Sequence, residues 1–152
     1  MTVRIIAVGK KHESWIAEGV QRYEKRLKAP FLTEWVLMAH SSLEGIRARH
    51  EESERILSKL SASAFVVLLD ERGKALDSPA LSKVLVEQLD RSREVVLIIG
   101  GAYGVDETIH QRADLVWSLS PLVFPHQLVR LILAEQLYRA QQINLGGQYH
   151  HE

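Results

Sequence analysis

Cysteine is absent from the 152 residues, which removes disulfide frameworks, thiolate nucleophiles and Cys-ligated zinc together. That absence suits a reducing compartment, and a cytoplasmic location is expected. Neither sign of charge is in excess, with 19 basic residues against 19 acidic. A general polyanion binder is thereby excluded, and any nucleic-acid contact must come from a local face. Long apolar runs are missing as well. Phe65 to Leu69 and Val95 to Ile99 fall far short of the ~20 residues that cross a bilayer. The apolar run Val3 to Val8 is too short for a signal-peptide core and reaches charged Lys10 without a cleavage site, so no membrane partner and no export signal are expected. Internal repeats, low-complexity tracts and linkers are also lacking.

What is present looks globular: 46% hydrophobic and 25% charged residues are ordinary for a folded soluble domain. A single domain over 1–152 is expected, large enough to bury about two-thirds of its unfolded surface. Val3 to Val8 predicts a strand ending at Gly9. Trp15, Ile16, Gly19, Val20, Tyr23 and Leu27 recur at helical spacing, and Pro30 closes that helix. A second strand is predicted from Phe31 to Met38 and a weakly amphipathic helix between Leu43 and Leu60. Phe65 to Leu69 and Val95 to Ile99 read as strands buried on both faces, with Asp70 to Lys74 as a polar loop after the first. Ser78-Pro79 predicts an N-cap and first-turn proline for a helix through Leu89. Asp106 caps a short helix, and Asp114 leads into a strand from Leu115 to Leu119. The last helix begins near Pro125 and runs to about Ile143, with apolar residues on more than one face. A partner subunit is the expected reason for that spread. Strands alternating with helices predict an α/β fold with a mostly parallel sheet flanked by helices.

In such sheets ligands bind beyond the carboxyl ends of the strands. That directs attention to three loops: Asp70 to Lys74, Gly100 to Gly104, and Ser120 to Pro125. The glycine loop is neither G-x-G-x-x-G nor a P-loop, and by itself is equally a tight turn. Ser118 to His126 is apolar yet interrupted by two prolines, so it continues neither a ladder nor a helix. It is either a buried connector or a shaped seat for a flat heteroaromatic ring. The tail, with Tyr149, His150, His151 and Glu152, is suited to acid–base work near neutral pH, or is an ordinary polar terminus. No metal is expected, because His150 and His151 are adjacent and no His pair at helical i, i+4 spacing accompanies them. Glu135 and Arg139 read as a helix-surface ion pair. Arg130 lies one turn beyond His126 on the same face, placed to meet a phosphate. Seven basic residues stand against three acidic ones in residues 1–30. Arg22, Lys25, Arg26 and Lys28 among them form a solvated face or an RNA-backbone contact.

Several stretches, taken in order, resemble the RlmH family of SPOUT-class enzymes, which methylate N3 of a pseudouridine in 23S ribosomal RNA. They are Ala7-Val8-Gly9-Lys10, the Leu69 to Lys74 loop, Ile99-Gly100-Gly101 with Gly104, Phe124-Pro125-His126-Gln127 with Val129-Arg130, Glu135 to Ala140, and Tyr149-His150. The resemblance runs nearly end to end. It implies a SPOUT α/β knot in which the C-terminal segment threads a trefoil, one of the rare exceptions to unknotted topology. It implies S-adenosyl-L-methionine as methyl donor, lying against Leu69, Gly101 and the stretch Leu119, Ser120, Pro121, Leu122, Val123 and Phe124. It also implies a homodimer through the C-terminal helix, in which one subunit's tail completes the other's site. His126, Tyr149 and His150 are the candidates for handling the N3 proton or orienting the base, and Arg130 for positioning RNA. The lack of an added RNA-binding domain favours an assembled ribosome as substrate. Two alternatives stay open: a SPOUT enzyme acting on tRNA or a ribose 2′-hydroxyl, and a noncatalytic ribosome-binding α/β protein.

Overall fold

The computed structural model describes residues 2–151; Met1 and Glu152, the two ends of the expected 1–152 domain, lie outside the described residues. Five strands and five helices alternate: β1 (Val3–Val8), α1 (Ser14–Glu24), β2 (Thr33–Met38), α2 (Gly45–Leu57), β3 (Phe65–Ala75), α3 (Ser78–Asp90), β4 (Val95–Ile99), α4 (Glu107–Arg112), β5 (Leu115–Ser118) and α5 (His126–Asn144). The strands form one sheet in the order β2-β1-β4-β3-β5, and every neighbouring pair is parallel. The α/β architecture inferred from alternating patterns is the one found.

The continuous apolar strands have a simple cause: each faces a core on both sides. Side chains alternate across a strand, so Val3, Ile5 and Ala7 of β1 join Val95, Leu97 and Ile99 of β4 in one core, with Leu81 and Leu85 of α3 and Leu133 and Leu137 of α5. Ile6 and Val8 join Val96 and Ile98 in a second core beneath Ile56 of α2 and Ile109 of α4. Each fully buried aliphatic side chain contributes about 1.5–3 kcal/mol by leaving water. Helix α1 is anchored less on the sheet than on α5: Ile16 and Val20 pack with Ala134, and a Cβ at Gly19 would stand only 2.6 Å from Leu131 Cδ1.

Several boundaries differ from the sequence reading. Helix α1 ends at Glu24, well before Pro30, because Arg26 and Leu27 already turn back onto the carbonyls of Tyr23 and Glu24. The cap of α3 is Asp77, whose Oδ1 accepts the Ala80 amide at 2.8 Å; Ser78 instead donates its hydroxyl to Gln136 on α5. The polar stretch Asp70 to Lys74 is not a terminal loop. Strand β3 continues to Ala75, and its pairing with β5 jumps from Leu69↔Trp117 to Lys74↔Trp117, so residues 70–73 bulge out of a ladder that then resumes. Gly73 allows this, since a Cβ there would lie 2.6 Å from the Val116 carbonyl oxygen.

The parallel sheet gathers the carboxyl ends of its strands at one edge. The connection after β1 leaves toward one side of the sheet and that after β4 toward the other. Such a switch point opens a crevice between loops.

Candidate active site

The loop after β4 is a tight turn closed by the Gly104 amide donating to the Gly101 carbonyl at 2.9 Å. Helix α2 grips it from behind. Arg49 Nε donates to the Tyr103 carbonyl at 2.9 Å, the Asp106 amide donates to Ser53 Oγ at 3.0 Å, and His50 Nδ1 lies 3.2 Å from Asp106 Oδ2. The loop after β5 is shaped by its serines, a common way to build a non-repetitive turn. Ser118 Oγ donates to the Ser120 carbonyl and the Leu122 amide donates to Ser120 Oγ at 3.0 Å.

These loops and the β3 bulge enclose one pocket. Leu69, Gly101, Leu119, Ser120, Leu122, Val123 and Phe124 all line it, while Pro121 lies in the same loop but outside the lining. Its further walls include Asp70, Glu71, Gly100, Gly104 and Val129. Apolar walls beside glycine backbone suit an adenine ring with its polar edges, so the residues present fit a nucleoside-bearing donor. Leu122 and Val123 are 67% and 78% exposed at the mouth, apolar groups left uncovered beside the opening. Burial by itself would raise the Asp70 carboxyl, but hydrogen bonds from the Arg72 side chain and amide hold it below its ordinary value.

His126 opens α5 and faces two spaces, this pocket and an adjoining one lined by Gly9, His40, Gln127 and Arg130. Burial first, then the positive charge of Arg130 and the neighbouring His40, holds its imidazole below the usual range. A ring so placed is neutral near pH 7 and able to accept a proton.

Arg130 is not where a phosphate contact was expected. It is 1% exposed, with Nη2 donating to the carbonyls of Val8 and Gly9 at 3.1 and 3.2 Å and Nη1 to that of Lys11 at 3.0 Å. Helical spacing put it on the His126 face, but that face turns inward against the loop after β1. Gly9 makes the approach possible: its φ is +127°, and a Cβ there would sit 2.7 Å from Arg130 Nη2. Gln127 reinforces the link, accepting the Glu13 amide at 2.9 Å and donating to the Lys11 carbonyl. Gln127 and the backbone carbonyls of residues 8–11 form a brace that sequence reasoning missed; a buried arginine without a carboxylate leaves no pattern in the chain.

The tail lies apart from this pocket. Tyr149 donates its hydroxyl to Glu135 Oε2 at 2.8 Å and packs edge-on against Tyr138. Arg139 pairs with Glu135 at 2.9 Å, stacks over the Tyr149 ring and reaches His150 Nδ1 at 3.1 Å. Burial and the Glu135 contact push the Tyr149 phenol well above its usual pKa, so docked Tyr149 is a donor and not a base. His150 borders a different cavity with Ser78, Trp117 and Gln136, which shares only the Leu119 and Phe124 wall with the first pocket. The ion pair Glu135–Arg139 is thus also the tail's mooring. Among the described residues no cluster of His, Asp and Glu is arranged to hold a metal, and no helix is long and apolar enough to cross a membrane.

A family model described as predicted SPOUT methyltransferase matches residues 1–150. A protein of Alkalilimnicola ehrlichii named ribosomal RNA large subunit methyltransferase H is 42% identical over 154 residues, covering 99% of both chains. One of the same name from Desulfitobacterium hafniense is 39% identical over 158 residues, again covering 99% of each. Among solved structures, a putative methylase family protein from Neisseria gonorrhoeae superposes with a TM-score of 0.52 at 14% identity, over 99% of this chain and 86% of that one. This last likeness concerns the fold.

Proposed function

Because the chain belongs to the SPOUT methyltransferase family, we propose that it methylates N3 of a pseudouridine in 23S ribosomal RNA on the assembled ribosome, in the cytoplasm. The active species is a homodimer joined through α5, with residues of the last two loops and α5 threaded as a trefoil knot. The observation that carries this reading is the convergence of Leu69, Gly101 and the 119–124 loop on one pocket, in a chain alignable end to end with proteins named as large-subunit ribosomal RNA methyltransferases.

When bound, S-adenosyl-L-methionine supplies a methyl group already activated by its sulfonium charge, so neither metal nor covalent nucleophile is required. The chain's residues must exclude water, align the acceptor nitrogen and remove its proton. Leu119, Val123 and Phe124 provide the apolar walls, and Gly101 lets the backbone approach the donor. His126, neutral at the pocket's edge, accepts or relays the N3 proton. Arg130 serves indirectly, by fixing the loop after β1 against the helix that carries His126. Tyr149 and His150 act on the partner subunit's pocket, since in their own chain they are moored to Glu135 and Arg139 instead.

Incubation with S-adenosylmethionine labelled in its methyl group, together with assembled ribosomes, free 23S RNA or tRNA, tests the proposal. Label is expected in 23S RNA of the assembled ribosome, at N3 of a pseudouridine. Transfer confined to tRNA or to a ribose hydroxyl would replace this reading with another SPOUT activity, and failure to bind the donor would remove enzymatic function altogether.

A further inference from the structure

A carboxylate lies buried directly behind the glycine wall of the donor pocket. Glu52, on α2, is 3% exposed. Its Oε2 accepts the Ser41 amide at 2.9 Å, whereas Oε1 is buried and has no hydrogen-bond partner among the described residues. A Cβ built on Gly101 would stand 2.8 Å from that oxygen and 3.1 Å from Val8 Cγ1. Gly101 in turn lines the pocket. Gly101, which has no side chain, therefore has the free carboxylate oxygen and Val8 on one side and lines the pocket on another.

The cations nearest along α2 are engaged elsewhere: Arg49 on the Tyr103 carbonyl, and Arg55 on Glu51 and the Ala39 carbonyl. Glu52 acts electrostatically on the His126 imidazole, but no described side chain pairs with Oε1, and a buried unpartnered oxygen calls for a reason. The pocket's other two acids are less able to project charge inward. Asp70 is paired with Arg72 at 3.1 Å, and Glu71 is exposed, where water and salt screen it.

Resting on the donor assignment above, we propose that Glu52 is the buried counter-charge of the donor pocket, a positioning residue that makes the site favour a sulfonium-bearing donor over the uncharged thioether left after transfer. The two ligands differ by one methyl group and one positive charge. A fixed negative charge behind Gly101 distinguishes them by the charge, and so promotes exchange of S-adenosylhomocysteine for fresh S-adenosylmethionine.

The full chain, wild type and variant, is titrated calorimetrically with each of the two ligands. Glu52→Gln keeps the side chain's shape and an acceptor for the Ser41 amide but removes the charge. It is expected to weaken S-adenosylmethionine about tenfold, the order of effect of losing a unit charge near a cation in a shielded site, while changing S-adenosylhomocysteine less than about twofold. Glu52→Asp retains the charge and is expected to keep the wild-type ratio of the two affinities. Equal weakening of both ligands by Glu52→Gln, or no change in either, overturns the inference. A measurement on the wild type guards against a variant that does not fold: S-adenosylmethionine and an analogue bearing an ammonium at the methyl position should both bind more tightly than S-adenosylhomocysteine, and the reverse order overturns it. Wild-type protein that binds neither ligand would sink the donor assignment itself, a result distinct from all of these.

Discussion

The pocket at the strand ends and the C-terminal tail are held in different ways. The pocket stands on buried strand ends, and its glycine loop is gripped from behind by Arg49, His50 and Ser53. Its shape is set by the same packing that sets the fold. The tail is held on the surface of α5 by polar contacts to Glu135 and Arg139 and by the Tyr149 ring packed against Tyr138, in a region with no regular structure after Asn144. Contacts of that kind are individually weak. The pocket's walls are thus set by the packing of one chain, whereas the tail rests on a few contacts with α5.

The largest effect expected from breaking this division is on transfer. Truncation after Gly147 should lower the methylation rate by about 10²–10⁴-fold, the usual range for loss of acid–base groups, and leave donor affinity within about twofold by calorimetry. Mixing that truncation with Gly101→Leu, whose side chain would collide with Glu52 and Val8, sharpens the comparison. Dimers combining an intact pocket from one chain with an intact tail from the other should regain activity, and mixtures that stay inactive would return the tail to its own subunit.

A smaller but global effect is expected at the junction of α5 with the loop after β1. Arg130→Met preserves much of the buried volume but removes the guanidinium donor from the carbonyls of Val8 and Gly9 and leaves that of Lys11 with Gln127 alone. It should cost about 3 kcal/mol in urea unfolding, with the tail's contribution to stability unaltered. A loss below about 1 kcal/mol would mean that water replaces the guanidinium at little cost.

The smallest effect is a pH dependence on the pocket side. His126 and His12 both titrate below the ordinary value of 6.5, in each case through burial first and the charge of Arg130 next. Between the folded and unfolded pKa values the unfolded chain binds more protons, so stability is undiminished above about pH 6.5 and falls as the pH drops through 6.5 toward the lower folded values. Thermal unfolding followed from pH 7.5 to 5 should show that decline, and His126→Asn should flatten it. An unchanged slope would assign the acid sensitivity to other groups.

Much of the pocket's lining was legible because its parts carry local signatures. Glycines after a buried strand, and an apolar stretch interrupted by Pro121 and Pro125, admit few structures, and parallel strands deliver their following loops to one edge. The β3 bulge was misread as a loop because strand pairing resumes beyond it, and Lys74↔Trp117 is a contact between residues far apart in the chain. Arg130 was read outward for a related reason. Helical spacing says which residues share a face but not what that face meets.

The sequence alone determined the alternation of strands and helices, the two-sided burial of β3 and β4, and the loops able to receive a ligand, since these follow from periodicity and from backbone limits at glycine and proline. Only the tertiary structure decided that Arg130 braces the loop after β1, that Glu52 stands behind Gly101, and that Glu135 and Arg139 moor Tyr149 and His150. Each of these depends on groups brought together across the sheet or along α5, where an unpaired polar atom is costly and its partner is chosen by geometry in space rather than by distance along the chain.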